Sequence, residues 1–164
     1  MRFSGRMFMM SVLFLGLVAC GSLQSVRQNP VEGYPFRHNA FDLKVAWQTS
    51  RVDKNLLIGG LLKNVRFVQM EDVELGVSVL DKAGKTLGSN KVLLLPSPIL
   101  KDEYTPFSLK FENLLLSQGD ILRFQIRYRA NDGDRDSFDW LSNFKADAVT
   151  GATISDEVAQ PGRW

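Results

Sequence analysis

From Phe41 onward, apolar and polar residues alternate with a period of two over most of the chain, the pattern of strands with one buried face. Phe41, Leu43, Val45 and Trp47 alternate with Asp42, Lys44, Ala46 and Gln48. A second run, at 56–62, is apolar on both faces and is interrupted by Gly59-Gly60, which predicts a bulge or a close backbone approach. Val73, Leu75, Val77 and Val79 form a third strand that ends in Asp81-Lys82-Ala83-Gly84-Lys85, a hairpin turn. Residues 91–95 make a fourth, closed by Pro96 and Pro98, and Phe107, Leu109 and Phe111 a fifth. In the clearest strand Leu122, Phe124, Ile126 and Tyr128 face one way, and Arg123, Gln125, Arg127 and Arg129 the other. Phe138, Trp140 and Phe144 then bring the chain back. Seven short strands at such intervals, with no helical period among them, predict an all-β fold, an antiparallel immunoglobulin-like β-sandwich.

The chain before this pattern is of another kind. Arg2 and Arg6 precede an apolar run from Met7 to Val18, the charged and apolar regions of an export signal. Its 12 residues are short for a bilayer span, which takes about 20. The run stops at Leu17-Val18-Ala19-Cys20, and Cys20 is the single cysteine of the chain. An ordinary signal peptide with a chance cysteine, or one transmembrane anchor, are the other readings of this stretch. The four residues resemble the lipobox of bacterial lipoproteins. That resemblance implies cleavage before Cys20, a diacylglyceryl group on its sulfur and acylation of the new amino end. The expected organisation is a signal peptide at 1–19, a lipidated end and tether at 20–39, a sandwich domain at 40–147 and a tail at 148–164. Pro30, Gly33 and Pro35 break the tether, and Tyr34 and Phe36 are candidates to dock on the domain. Gly21 stands where an Asp would resemble an inner-membrane retention signal. The expected location is thus the envelope, facing the periplasm, with the outer membrane preferred.

Loss of Arg2 and Arg6 leaves 18 basic against 18 acidic side chains. A neutral domain lacks the field that draws a protein to nucleic acid. With Cys20 acylated no disulfide is available. The 145 residues from Cys20 onward suit one domain with one apolar core.

Within 57–111, Gly60 with Asn64, and Val77-Ser78-Val79-Leu80-Asp81 leading into Ala83-Gly84-Lys85, resemble the FxLyD-type and related immunoglobulin-like modules of bacterial lipoproteins. The aromatic positions that name that family are Val and Leu here, so the resemblance implies the fold alone. Such modules bind or space partners more often than they catalyse.

Past the last expected strand, Asp147-Ala148-Val149-Thr150-Gly151-Ala152-Thr153 resembles the covalent flavin attachment motif of exported FMN-binding proteins, such as subunits of the sodium-pumping NADH:quinone oxidoreductase. Asp147, Thr150, Gly151, Ala152 and Thr153 match it. The resemblance implies that a flavin transferase joins FMN through its phosphate to the Thr153 hydroxyl, the flavin then supplying the redox chemistry. The other reading of the same stretch is a post-strand turn and loose tail, in which Thr and Gly are ordinary. Asp132, Asp134 and Asp136 alternate as calcium ligands do, yet Gly133 and Asn143 stand in the wrong places for such a loop. His38, the one histidine, falls in the expected tether, so a metal cluster or nucleophilic triad would have to be built from that segment. Arg123, Arg127 and Arg129 form a stripe suited to anionic lipid or a partner, or a solvated face paired with neighbouring carboxylates. The expected function is a non-enzymatic, membrane-anchored binding or accessory module with an envelope protein partner. The alternative is an extracytoplasmic electron-transfer flavoprotein carrying FMN on Thr153.

Overall fold

The computed structural model of the protein describes residues 30–131 and 137–161, the last seven of these by backbone alone. Among them nine strands follow in order: β1 (Phe36–Asn39), β2 (Leu43–Val52), β3 (Asn55–Asn64), β4 (Gln69–Leu80), β5 (Thr86–Leu93), β6 (Tyr104–Phe111), β7 (Ile121–Asn131), β8 (Ser137–Asp147) and β9 (Thr153–Pro161). They pair antiparallel in two sheets, ordered β1-β2-β3-β6 and β5-β4-β7-β8-β9. The chain is thus an all-β antiparallel sandwich. Strands β2 to β8 are the seven expected from the alternation. Lettered A, B, C, C′, E, F and G in chain order, they form sheets A-B-E and C′-C-F-G, the immunoglobulin arrangement.

The two further strands extend the domain past the expected 40–147. Phe36–Asn39, placed in the tether by the sequence, is β1 and pairs with β2 from Phe36↔Trp47 to Asn39↔Lys44. Thr153–Pro161, placed in the tail, is β9 and pairs with β8. Phe36 docks on the domain, its ring 5.8 Å from that of Trp47. The leader and Cys20 lie outside the described residues, as does the acidic stretch Asp132, Asp134 and Asp136.

The buried face of each strand supplies the core. Leu122, Phe124, Ile126 and Tyr128 of β7 are all buried, as are Val73, Leu75, Val77 and Val79 of β4, while Gln125, Arg127 and Arg129 are exposed. Trp47, Phe124 and Phe144 are the largest fully buried side chains and pack together between the sheets, with ring centroids 4.5 to 5.7 Å apart. The alternation in β2 fails at its start. Phe41, expected inside, is 73% exposed, and Asp42, expected outside, is 3% exposed. These two precede the strand, in the turn from β1, where the pleat no longer dictates sides. There the Asp42 carboxylate accepts a 2.6 Å hydrogen bond from the Tyr128 hydroxyl.

The β2–β3 register runs unbroken through Gln48↔Gly59 and Trp47↔Gly60, so the double glycine is no bulge. It is the close approach: a Cβ on Gly60 would run into the Ala46 carbonyl and the Phe107 ring. The Asp81 turn forms as expected. Asp81 Oδ1 accepts from the amides of Ala83 at 2.8 Å and Lys85 at 2.9 Å.

Candidate functional site

The sequence pointed to residues 147–153, and the structure makes them the connection from β8 to β9. Asp147, the last residue of β8, organises it. Its Oδ1 accepts from the Val149 amide at 3.0 Å, the Thr150 amide at 2.7 Å and the Thr150 hydroxyl at 2.9 Å. Its backbone amide donates to the Ala152 carbonyl and its carbonyl accepts from the Gly151 amide, both at 2.9 Å. The bonds from the Thr150 amide and hydroxyl, then that from the Val149 amide, hold the Asp147 carboxyl below its usual range, because each favours the charged form. Gly151 turns the chain at φ +69°, and its bare Cα lies under the Phe36 ring, which a side chain there would strike. Four of the five motif residues, Asp147, Thr150, Gly151 and Ala152, thus have a place in the turn itself.

Thr153 does not. It is exposed at the first position of β9, its Oγ1 3.5 Å from Nδ1 of His38. His38 is not in a loose tether but in β1, 7% exposed. Its ring stacks on Phe144 at 3.9 Å and 13°, and Phe144 stacks in turn on Phe124 at 4.5 Å and 6°. An aromatic column therefore runs from the middle of the core to the foot of Thr153. The residues fit a phosphate ester at this point in one respect: Thr153 is exposed, and its hydroxyl has a single long contact, to His38. His38 would steady that hydroxyl, and the flavin, once joined, would supply the electron transfer.

Of the other candidates, Asp132, Asp134 and Asp136 lie outside the described residues. Among the described residues no three His, Cys, Asp or Glu side chains converge as a metal site. Of the arginine stripe, Arg129 pairs with Glu71 at 2.9 Å and Asp72 at 2.8 Å across β4. Arg127 stands opposite Glu74 in register, and Arg123 opposite Ser78 and Lys145. The buried Asp42–Tyr128 bond was not foreseen, because Asp42 reads in the sequence as one more polar member of an alternating run. Burial, and then the bond to Asp42, push the Tyr128 hydroxyl far above its usual pKa.

No family model matches the chain, and no curated protein does. Several solved structures resemble parts of it. A calcium-binding mutant of Bacteroides uniformis beta-glucuronidase 2 aligns with 63% of this chain and 13% of its own, at 19% identity and a TM-score of 0.38. The yeast GGA1 GAE domain aligns with 66% of this chain and 97% of its own, at 12% identity and a TM-score of 0.37. OgpA from Akkermansia muciniphila aligns with 80% of this chain and 32% of its own, at 14% identity and a TM-score of 0.35. The chain spans about an eighth of the glucuronidase it matches.

Proposed function

We propose that the protein is a lipid-anchored accessory module of the bacterial envelope, joined to the membrane through acyl groups on Cys20 and engaging a partner by binding rather than catalysis. The observation that carries this reading is the order of parts: Leu17-Val18-Ala19-Cys20 directly after a short apolar run, then a polar segment, then a sandwich whose interior is filled by its own side chains. Acyl chains contribute about 0.8 kcal/mol for each buried CH2, so two or three together hold a water-soluble domain firmly where one would not. Replacing Cys20 by Ser in the native host tests it. The reading expects the product to leave the membrane fraction or stall as an uncleaved precursor; unchanged partitioning and migration would sink the anchor.

Thr153 supports the second reading, that of a tethered flavoprotein. It is the one motif residue without work in the turn, and it is exposed. Intact mass of the protein from its native host is the test. An FMN-sized increment that disappears in Thr153→Ala establishes the flavin, and its absence where a flavin transferase is active removes it.

A further inference from the structure

The end of the sandwich where β2 begins and β3 finishes carries two phenylalanines that the core does not use. Phe67 is 86% exposed and Phe41 73%. Each ring has a cation over one face: the Arg66 guanidinium lies 4.0 Å from the Phe41 centroid, and Lys101 Nζ 3.5 Å from that of Phe67. The backbone beneath them is pinned. Asn64, fully buried, accepts from the Arg66 amide at 2.8 Å and donates to the carbonyls of Val68 at 2.8 Å and Ile99 at 3.0 Å. The Val65 amide donates to the Asp42 carbonyl at 3.2 Å. The tips are therefore held out into solvent by a rigid loop, so little ordering remains to be done on binding.

Beside them, on the outer face of the first sheet, Asn39, Lys44, Lys63 and Tyr104 lie in one register row across β1, β2, β3 and β6. With Val31 and Arg37 they line a cleft of about 350 Å³. Asp102 is bound to Lys63 at 2.7 Å. That bond first, and the positive charge of Lys63, Lys101 and Lys44 after it, hold its carboxyl below the usual range. Cations thus prevail on this corner. Val31 follows Cys20 by 11 residues, so this corner stands close in sequence to the proposed point of anchorage.

We infer that this corner docks on an anionic phospholipid surface, with Phe41 and Phe67 entering the headgroup and acyl boundary and Arg37, Lys44 and Lys101 meeting phosphates. Separate aromatic tips, each accompanied by a cation, suit an interface where apolar and charged layers lie a few ångströms apart. The inference names the membrane contact of the accessory module proposed above and rests on that reading for its setting. Its test therefore leaves the anchor out, so that the two can fail separately.

Among the described residues the core lies between Leu43 and Ala148, with Phe36 and Ala40 packed against it, so the chain from Gly21 onward includes every residue of that core without leader or acyl groups. This form is sedimented with vesicles of phosphatidylcholine alone and of phosphatidylcholine mixed with phosphatidylglycerol. It is expected to bind the mixed vesicles, to be released by high salt, and to bind at least roughly tenfold more weakly as Lys44→Glu with Lys101→Glu. Phe67→Ser is expected to weaken binding several-fold. Lys44, Lys101 and Phe67 are exposed, so both variants should melt as the parent does; Lys44→Gln with Lys101→Gln serves if the reversal does not. Failure to bind mixed vesicles overturns the inference, as does binding that neither variant alters or that phosphatidylcholine alone matches.

Discussion

Gly59 and Gly60 are neighbours in β3 and face opposite sides of its sheet. A Cβ on Gly59 would come no nearer than 3.8 Å to another atom, whereas on Gly60 it would strike a carbonyl and a ring. Gly59→Ala should be neutral or slightly stabilising, since it only narrows the unfolded ensemble. Gly60→Ala should cost about 3 kcal/mol, because backbone and a packed ring must both move. Urea unfolding of the pair checks the contrast, and equal midpoints would contradict it. The sequence could mark this glycine pair as unusual but not say which member was essential, since that depends on Phe107 arriving from β6. The Tyr128 bond to Asp42 makes a second case. Tyr128→Phe leaves a buried carboxylate without its donor, at about 1 to 3 kcal/mol. The folded-state pKa of Tyr128 is raised, so its contribution is complete below the ordinary value of 10.0 and is lost as pH rises past it. Above that pH the parent should lose up to about 1.4 kcal/mol of stability per pH unit more than Tyr128→Phe. Parallel pH dependences for the two would refute the bond.

At the scale of elements, six of the seven foreseen strands are where the alternation put them because each has one face on the core. β5 is the exception, expected at 91–95 and found at Thr86–Leu93. It is an edge strand with most side chains exposed, so burial leaves little pattern in it. β1 was missed because four residues behind two prolines look like tether, although Phe36 and His38 already alternate inward. β9 was missed because Thr153-Ile154-Ser155-Asp156-Glu157 shows no apolar alternation at all. The two missed strands meet at Gly151, and this junction is open to test. Gly151→Ala should destabilise by about 1 to 3 kcal/mol from a strained φ and a collision with Phe36. Phe36→Ala should relieve the collision and not the strain, so the double variant should depart from additivity by at least about 0.5 kcal/mol. Additive effects would mean that β1 does not rest on the turn. Within the turn, Asp147→Ala should speed hydrogen exchange at the amides of Val149 and Thr150. The Asp147 pKa is lowered on folding, so the parent should show the same opening only as the pH falls below the ordinary 3.8. Unchanged protection in the variant would remove the carboxylate from its organising role.

At the scale of the whole molecule, the long-range meetings were the least legible. His38 and Thr153 are 115 residues apart in sequence, and only the closing of two sheets along one side brings them within 3.5 Å. The same closure decides how the protein should unfold. Trp47 belongs to the first sheet, Phe124 and Phe144 to the second, and the three rings interlock in the middle. Neither sheet can then lose its partner without exposing the largest side chains of both, so neither should persist alone. Tryptophan fluorescence of a Trp140→Phe, Trp164→Phe variant, in which Trp47 alone emits, and far-ultraviolet circular dichroism, which follows strand content, should report one coincident transition in urea. Reductant should not shift it, because the single cysteine leaves no intramolecular disulfide to break. A fluorescence transition that precedes loss of the strands would mean that the sheets separate before they melt, and that the interlocked rings do not hold the sandwich together.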